Sequence, residues 1–226
     1  MQSKRKQTNY TESWTEPSSL FMKDGQYITK NIVSRMEKVK AHTLRHQVFC
    51  QELRWVLENS NSFEIDYYDE HAVPIGVFDA NHNLKAFLRI VMSPNTFMLE
   101  QEFPYLLKKG YEIRRKEDTA EISRLCVEPG ARNERIAGNF GMHSVSMILY
   151  KGVYHWCIKN YIRYLYLVVE EKVYRLLCAK GFPCNLVGES RIMPDGVIAV
   201  AAMLDWKKFE EINNLKRPNM LKWFQG

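Results

Sequence analysis

The sequence predicts a single α/β domain of the α+β type, a mixed sheet with helices on both of its faces. Three observations lead there. Helix-like and strand-like segments alternate along most of the 226 residues, a hydrophobic share of 46% is enough for one full core, and no internal repeat or low-complexity tract breaks the pattern.

Taken in order, residues 1–25 are polar and read as a loose extension, which leaves 26–226 as the domain. Over 27–55 the apolar residues Ile28, Ile32, Val33, Met36, Val39, Leu44, Val48, Phe49 and Leu53 recur at spacings of three and four, which predicts two helices. Residues 73–79 and 84–92 read as strands, joined by Ala80-Asn81-His82-Asn83, where asparagines that tolerate a left-handed backbone favour a hairpin. Residues 121–127 form the next strand. Residues 140–159 carry Met142, Val145, Ile148, Leu149, Val153, Trp156 and Cys157 at helical intervals, and 161–169 return to strand through tyrosines and β-branched residues. Residues 171–180 are a short helix with Gly181 as its stop, and 197–204 a buried last strand.

Composition excludes several classes. The longest apolar run, 197–204, is far below the roughly 20 residues a membrane helix needs. Lys4, Arg5 and Lys6 have no apolar stretch behind them, so no secretory signal is read and a cytoplasmic address is expected. Five scattered cysteines without a CxxC spacing read as reduced packing thiols, and His71, His143 and His155 lack a grouping that predicts a metal. The net charge of +6 points to an acidic partner: nucleic acid, a phosphate-bearing cofactor or an acidic protein. Its cations fall in short groups, Lys108-Lys109, Arg114-Arg115-Lys116 and Arg132/Arg135, without a long tract or recognition motif, which disfavours nucleic acid.

The order of elements resembles the acetyltransferase-type (GNAT) fold, which implies a V-shaped cleft between central strands and a cofactor loop ahead of the central helix. In that superfamily the loop reads R-x-x-G-x-G/A, and its amides cradle a pyrophosphate at a helix N-terminus. Arg132-Asn133-Glu134-Arg135-Ile136-Ala137 keeps the first arginine and the last alanine but sets Arg135 where the glycine would be. A side chain there obstructs a pyrophosphate, whereas an arginine suits the single phosphodiester of an acyl-carrier arm. A solvated basic loop is the plainer alternative.

The segments RHQVFCQELRW from Arg45, FEIDYYDEH at 63–71, FLRIV at 87–91, FMLEQEFPYLL at 97–107 and EISR at 121–124 resemble the autoinducer synthases, which make acyl-homoserine lactones. The match runs residue by residue through Arg45, Phe49, Trp55, Asp66, Asp69, Arg89, Phe103, Glu121 and Arg124. The later stretch LYLVVEEKVYRLLCAKGFPCNLVG, 165–188, is more similar to the N-acyl amino acid synthases and exosortase-associated acyltransferases. These share the fold and thioester chemistry but acylate a free amino acid in place of S-adenosylmethionine. The resemblance implies an N-acyltransferase that takes a fatty acyl chain from the phosphopantetheine of an acyl-carrier protein, with no tightly bound cofactor. The expected acceptor is a free amino acid; an acyl-homoserine lactone made from S-adenosylmethionine is the alternative, and a non-catalytic basic binding module of the same fold a third.

An amine attacks a thioester only when neutral, so the site needs a proton acceptor and a polarised carbonyl. Glu121, at the head of an apolar strand, is the candidate base, directly or through a water, with partial burial raising its pKa. Pairing with Arg124 or another strand arginine is the structural alternative, and Arg124 joins it as a candidate catalytic residue. Asp66 and Asp69, three apart on a turn, either brace Arg45, Arg89 or Arg124 or hold the acceptor's ammonium. The resemblance implies an electrostatic cluster of this kind. Phe49, Trp55 and Phe103 fit an ordinary core, but the resemblance places Arg45, Phe49 and Trp55 in a mobile N-terminal cap over the substrates. It also lets apolar residues of 140–156 and 161–169 flank the acyl tunnel. Val127, Arg132 and Arg135 are assigned to the carrier arm, and Lys108, Lys109, Lys151 and Arg163 to a docking face for the carrier protein.

Overall fold

The computed structural model describes residues 17–58, 60–138 and 140–226. Its main sheet has the strand order β1-β2-β3-β4-β5-β8-β11-β10, with β9 beside β11. These strands are Phe21–Asp24 (β1), Tyr27–Asn31 (β2), Ala72–Phe78 (β3), Leu84–Met92 (β4), Thr119–Val127 (β5), Tyr164–Glu170 (β8), Cys184–Leu186 (β9), Arg191–Ile192 (β10) and Ile198–Asp205 (β11). Strands β6 (Arg135–Gly138) and β7 (Gly141–Ser144) form a separate antiparallel ribbon.

The expected extension and first helix are corrected here. Residues 1–16 of the extension lie outside the described residues, but Phe21–Asp24 pairs with Tyr27–Asn31 and so belongs to the sheet. Tyr27 and Thr29 alternate inward along β2, which pairs with β3. The helix α1 therefore starts only at Arg35 and runs to Arg45, opened by a capping box between Ser34 and Glu37. A π-helix, His46–Glu52, follows without a break, and a 3₁₀ turn, Tyr67–His71, leads into β3. The helix expected over 140–159 also begins late: 141–144 are β7, and Ser144 caps α3, Val145–Lys159. The remaining helices are α2 (Met98–Gln101), α4 (Glu171–Ala179), α5 (Trp206–Lys216) and α6 (Pro218–Gln225). No element is expected from sequence beyond residue 204, yet α5 and α6 close the large core with Trp206, Phe209, Leu221, Trp223 and Phe224.

Strand alternation divides the core between the two faces of the sheet. On one face Ile75, Val77, Ala86, Leu88, Ile90, Ala120, Leu165, Leu167, Ala202 and Leu204 meet α3, α5 and α6. The other face holds two smaller clusters. Phe78, Leu84, Phe87 and Cys126 pack under α1 and the π-helix, and Val91, Tyr166, Ala199 and Ala201 pack under α2. Arg89 projects between them, flanked on its strand by Phe87 of one cluster and Val91 of the other.

Two irregularities shape the centre. β5 and β8 are parallel and pair only from Thr119/Tyr164 to Ile122/Leu167, although β5 runs on to Val127 and β8 to Glu170. The strands part beyond that point and open the V-shaped cleft. β5 also carries a bulge: Arg89 lies opposite Ser123 and Phe87 opposite Cys126, so Arg124 and Leu125 together face Leu88. Arg124 takes up the bulge with a left-handed backbone (φ 53°).

The chain after β9 approaches the Leu106–Lys108 backbone so closely that a Cβ on Gly188 would lie 1.7 Å from the Leu106 carbonyl oxygen. The amide of Lys108 donates to the Val187 carbonyl there, at 3.1 Å. Gly188→Ala is expected to lower stability by about 1–3 kcal/mol, the range for overpacking, in a denaturant titration. An unchanged unfolding midpoint would contradict this.

Candidate active site

Six side chains from four segments meet on the cleft side of the sheet. Arg45 ends α1, Glu64 and Asp66 lie on the extended stretch before the 3₁₀ turn, Asp69 lies in that turn, Arg89 comes from β4 and Arg124 from the bulge of β5. Arg45 and Arg89 are fully buried. Arg45 donates to Glu64 through Nε and to Asp69 through Nη1 at 2.6 Å. Arg89 forks onto Asp66, reaches Asp69 at 2.9 Å and donates through Nε to Ser123 Oγ at 2.8 Å. Arg124 reaches Glu64 at 3.0 Å and Asp66 at 2.8 Å. Three guanidinium groups thus face three carboxylates. Burial works to raise the Asp69 carboxyl, but its hydrogen bond to Arg45 and the Arg45 and Arg89 charges outweigh that and hold it at about 2.

The bulge is what lets Arg124 take part. In an unbroken strand, residue 124 would face away from Glu121 and Ser123; the extra residue turns its guanidinium to their side. There it lies 5.5 Å from the centre of the Phe49 ring, and Phe49 lies 6.2 Å from the half-exposed Trp55.

Glu121 stands apart from this network. It is 1% exposed, lies between Val91 and Tyr166 in register, and gives its oxygens to backbone amides: Met98 N–H at 2.6 Å and Leu99 N–H at 2.8 Å. It does not take the expected alternative of a pair with Arg124, whose nitrogens go to Glu64 and Asp66. Burial pushes its carboxyl up to about 7 against the pull of the two amides and the Arg89 charge. An acid at that value can accept a proton near neutrality.

The other expected residues lie elsewhere. Phe103 packs into the α2-side apolar cluster, outside the ionic network. Val127 ends β5, and its carbonyl accepts from Arg132 Nε at 3.2 Å. Arg132 places its fork on Glu52, the last residue of the π-helix, with Nη2 at 2.6 Å. Arg135 turns back onto the carbonyls of Arg132 and Glu134. Their loop leads into the β6–β7 ribbon and not directly into a helix N-terminus. Lys151, expected on a docking face, is instead buried against Asp24 at 3.0 Å, and Arg163 is forked onto Asp205.

Glu64, Ser123 and Met98 are the partners that sequence reasoning missed. A signal for Glu64 was present in FEID: in extended chain residues 64 and 66 face the same side, so both acids address one set of cations.

Parted parallel strands with a neutral-range acid at their head define a GNAT-like acyltransferase framework. A structure of a CoA-dependent acyl-homoserine lactone synthase, BjaI, with SAM and isopentyl-CoA, superposes with a TM-score of 0.67 at 16% identity, covering 92% of this chain and 99% of that one. The N-acyl amino acid synthase FeeM from uncultured soil microbes superposes at 0.61 with 14% identity, covering 82% and 93%. The acyl-homoserine-lactone synthase of Aliivibrio fischeri is 30% identical over 152 residues, 66% of this chain and 76% of that protein. The family model for autoinducer synthases matches residues 29–212, and the chain belongs to that family of acyltransferases. The expected free amino acid acceptor finds no support in this, and the alternative is the better supported: the sequence relationship lies with acyl-homoserine-lactone synthases, and the likeness to FeeM is one of fold.

Glu64→Gln leaves Arg45 and Arg124 short of a charge in a buried setting, and about 3–5 kcal/mol of stability is expected to be lost on breaking such a pair. Chemical unfolding measures it, and a loss under 1 kcal/mol would show that the network is better solvated than its burial implies.

Proposed function

We propose that the protein is an acyl-homoserine-lactone synthase that acylates the α-amine of S-adenosylmethionine from a fatty acyl thioester. The observation that carries the acyl transfer is Glu121, buried and held by two backbone amides where β5 and β8 part, with its carboxyl pushed up to about 7 by burial; the match to the autoinducer synthases supports the acceptor. An α-amino group titrates near 7.7–8.0 and is mostly protonated at neutral pH, so it needs such an acceptor before it can attack. Glu121 removes the proton, directly or through a water; the nitrogen then bonds to the thioester carbon and the thiol leaves with a proton. Closure to a lactone takes the acceptor's own carboxylate onto its γ-carbon and expels methylthioadenosine, so the site must also hold a sulfonium and a carboxylate.

The ionic network supplies both signs of charge for that. Arg124 lies at its cap-side edge against Phe49, where it can meet the acceptor's carboxylate or the developing oxyanion. Asp66 and Asp69, each less buried than Glu64, face the cationic end of the acceptor. The donor is an acyl thioester carried on phosphopantetheine. An acyl-carrier protein is one source, since Arg135 stands in the loop where the pyrophosphate-binding pattern has a glycine, and a relative solved with an acyl-CoA keeps coenzyme A as the second.

Incubation with an acyl thioester and either S-adenosylmethionine or free amino acids, read by mass, is expected to give an acyl-homoserine lactone; an N-acyl amino acid as the main product would reverse the proposal. In the free enzyme kcat/KM should fall by about tenfold per pH unit below about 7, where Glu121 keeps its proton. Glu121→Gln is expected to lose activity by about 100-fold or more and to lose that acid limb.

A further inference from the structure

Arg114-Arg115-Lys116 reads in the sequence as a surface charge group, but Arg115 is bound to the turn that holds Glu121. Its Nη1 donates to the Asn95 carbonyl, its Nε to Glu100 Oε1 at 3.1 Å and its Nη2 to Glu100 Oε2, while its guanidinium carbon lies 4.5 Å from the centre of the Phe97 ring. Glu100 Oε2 in turn accepts the Phe97 amide at 3.0 Å, and the fully buried Phe97 ring packs 5.9 Å from Tyr166. The next two amides along, Met98 and Leu99, have no partner within so short a helix and point at the Glu121 oxygens. Asn95, Phe97 and Glu100 are thus gripped by one guanidinium, on either side of the two amides that Glu121 uses.

We propose that Arg115 is a positioning residue for the acyl transfer: it touches no substrate, and by fixing the α2 turn at three points it sets the two amides that aim the Glu121 carboxylate. The inference rests on Glu121 being the base. Arg115 and Glu100 are each about one-third exposed, so their ion pair contributes little to global stability. What the pair determines is where a four-residue helix sits, and a displacement of about 1 Å in a reacting group can lower a rate by about 100-fold.

Arg89 of β4, Glu100 of α2, Tyr68 of the 3₁₀ turn and Tyr166 of β8 are the charged or titratable groups around Glu121. Without Arg115 the amide bonds loosen and the Glu100 charge is left unbalanced, and both changes favour the protonated Glu121. The acid limb should therefore move to higher pH.

The test compares steady-state kinetics of Arg115→Ala, Arg115→Lys, Glu100→Gln and Glu121→Gln with an acyl thioester and S-adenosylmethionine across pH. Arg115→Ala is expected to lower kcat by about 10- to 100-fold with both KM values within about twofold, and to shift the acid limb upward. Arg115→Lys keeps one charge but not the fork or the ring contact and should recover only part of the loss. Wild-type kcat and acid limb in Arg115→Ala would overturn the inference. If that variant does not fold, Arg115→Lys and Glu100→Gln decide, and wild-type behaviour in both overturns it equally. An active Glu121→Gln with its acid limb intact would instead remove the base assignment beneath it, a result distinct from an inactive Glu121→Gln beside an unaffected Arg115→Ala.

Discussion

Two arginines with no solvent exposure dictate much of this molecule. Arg45 and Arg89 cannot shed their charge, so each must be met by carboxylates inside the protein or the fold bears a large desolvation penalty. The carboxylates come from one short stretch, Glu64 to Asp69, and that stretch is consequently pinned between the end of α1 and the middle of β4. Arg124 completes the balance from β5. The same pairs that neutralise charge therefore join the N-terminal helix to the central strands, and structural and chemical roles cannot be assigned separately to these six residues. Arg45, expected in a mobile cap, is instead held in the interior by these pairs, while Trp55 beyond the π-helix is exposed.

Beside this network lies a carboxyl with the opposite properties. Asp69 is half-buried, yet arginines keep it ionised far below neutrality, whereas the buried Glu121 meets only amides at hydrogen-bond distance and is driven toward its protonated form. Two acids under one roof are thus pushed in opposite directions in their affinity for a proton. One can hold a cation permanently, and the other can exchange a proton during a reaction.

Much of the sheet was readable because alternation and turn chemistry are local. The β3–β4 hairpin, β5, β8 and β11 fall within a few residues of their expected positions. What failed was what depends on partners. Ile28 and Ile32 fit a helical stripe, but Tyr27 and Thr29 are buried because β3 is there to pair with them, and spacing alone cannot show that neighbour. The ribbon that delays α3 has the same cause. In the site, Glu121, Arg124 and the aspartates came from matching a family pattern, while Glu64 lies outside that pattern, and its same-side spacing with Asp66 speaks only once the stretch is known to be extended. The likeness of residues 165–188 to the N-acyl amino acid synthases falls on β8, α4 and β9, elements of the scaffold outside the ionic network, and so carried little information about the acceptor.

The slip of one residue in β5 has a reach beyond the side chain it turns. Up to Ile122 the strand is shared by neighbours on both sides; past the slip only β4 remains beside it. How widely the sheet gapes and where the cation at its mouth is directed are in consequence a single geometric variable. Any change that widens or narrows that gape must re-aim the guanidinium along with it, unless the acids that hold it are altered to restore its heading.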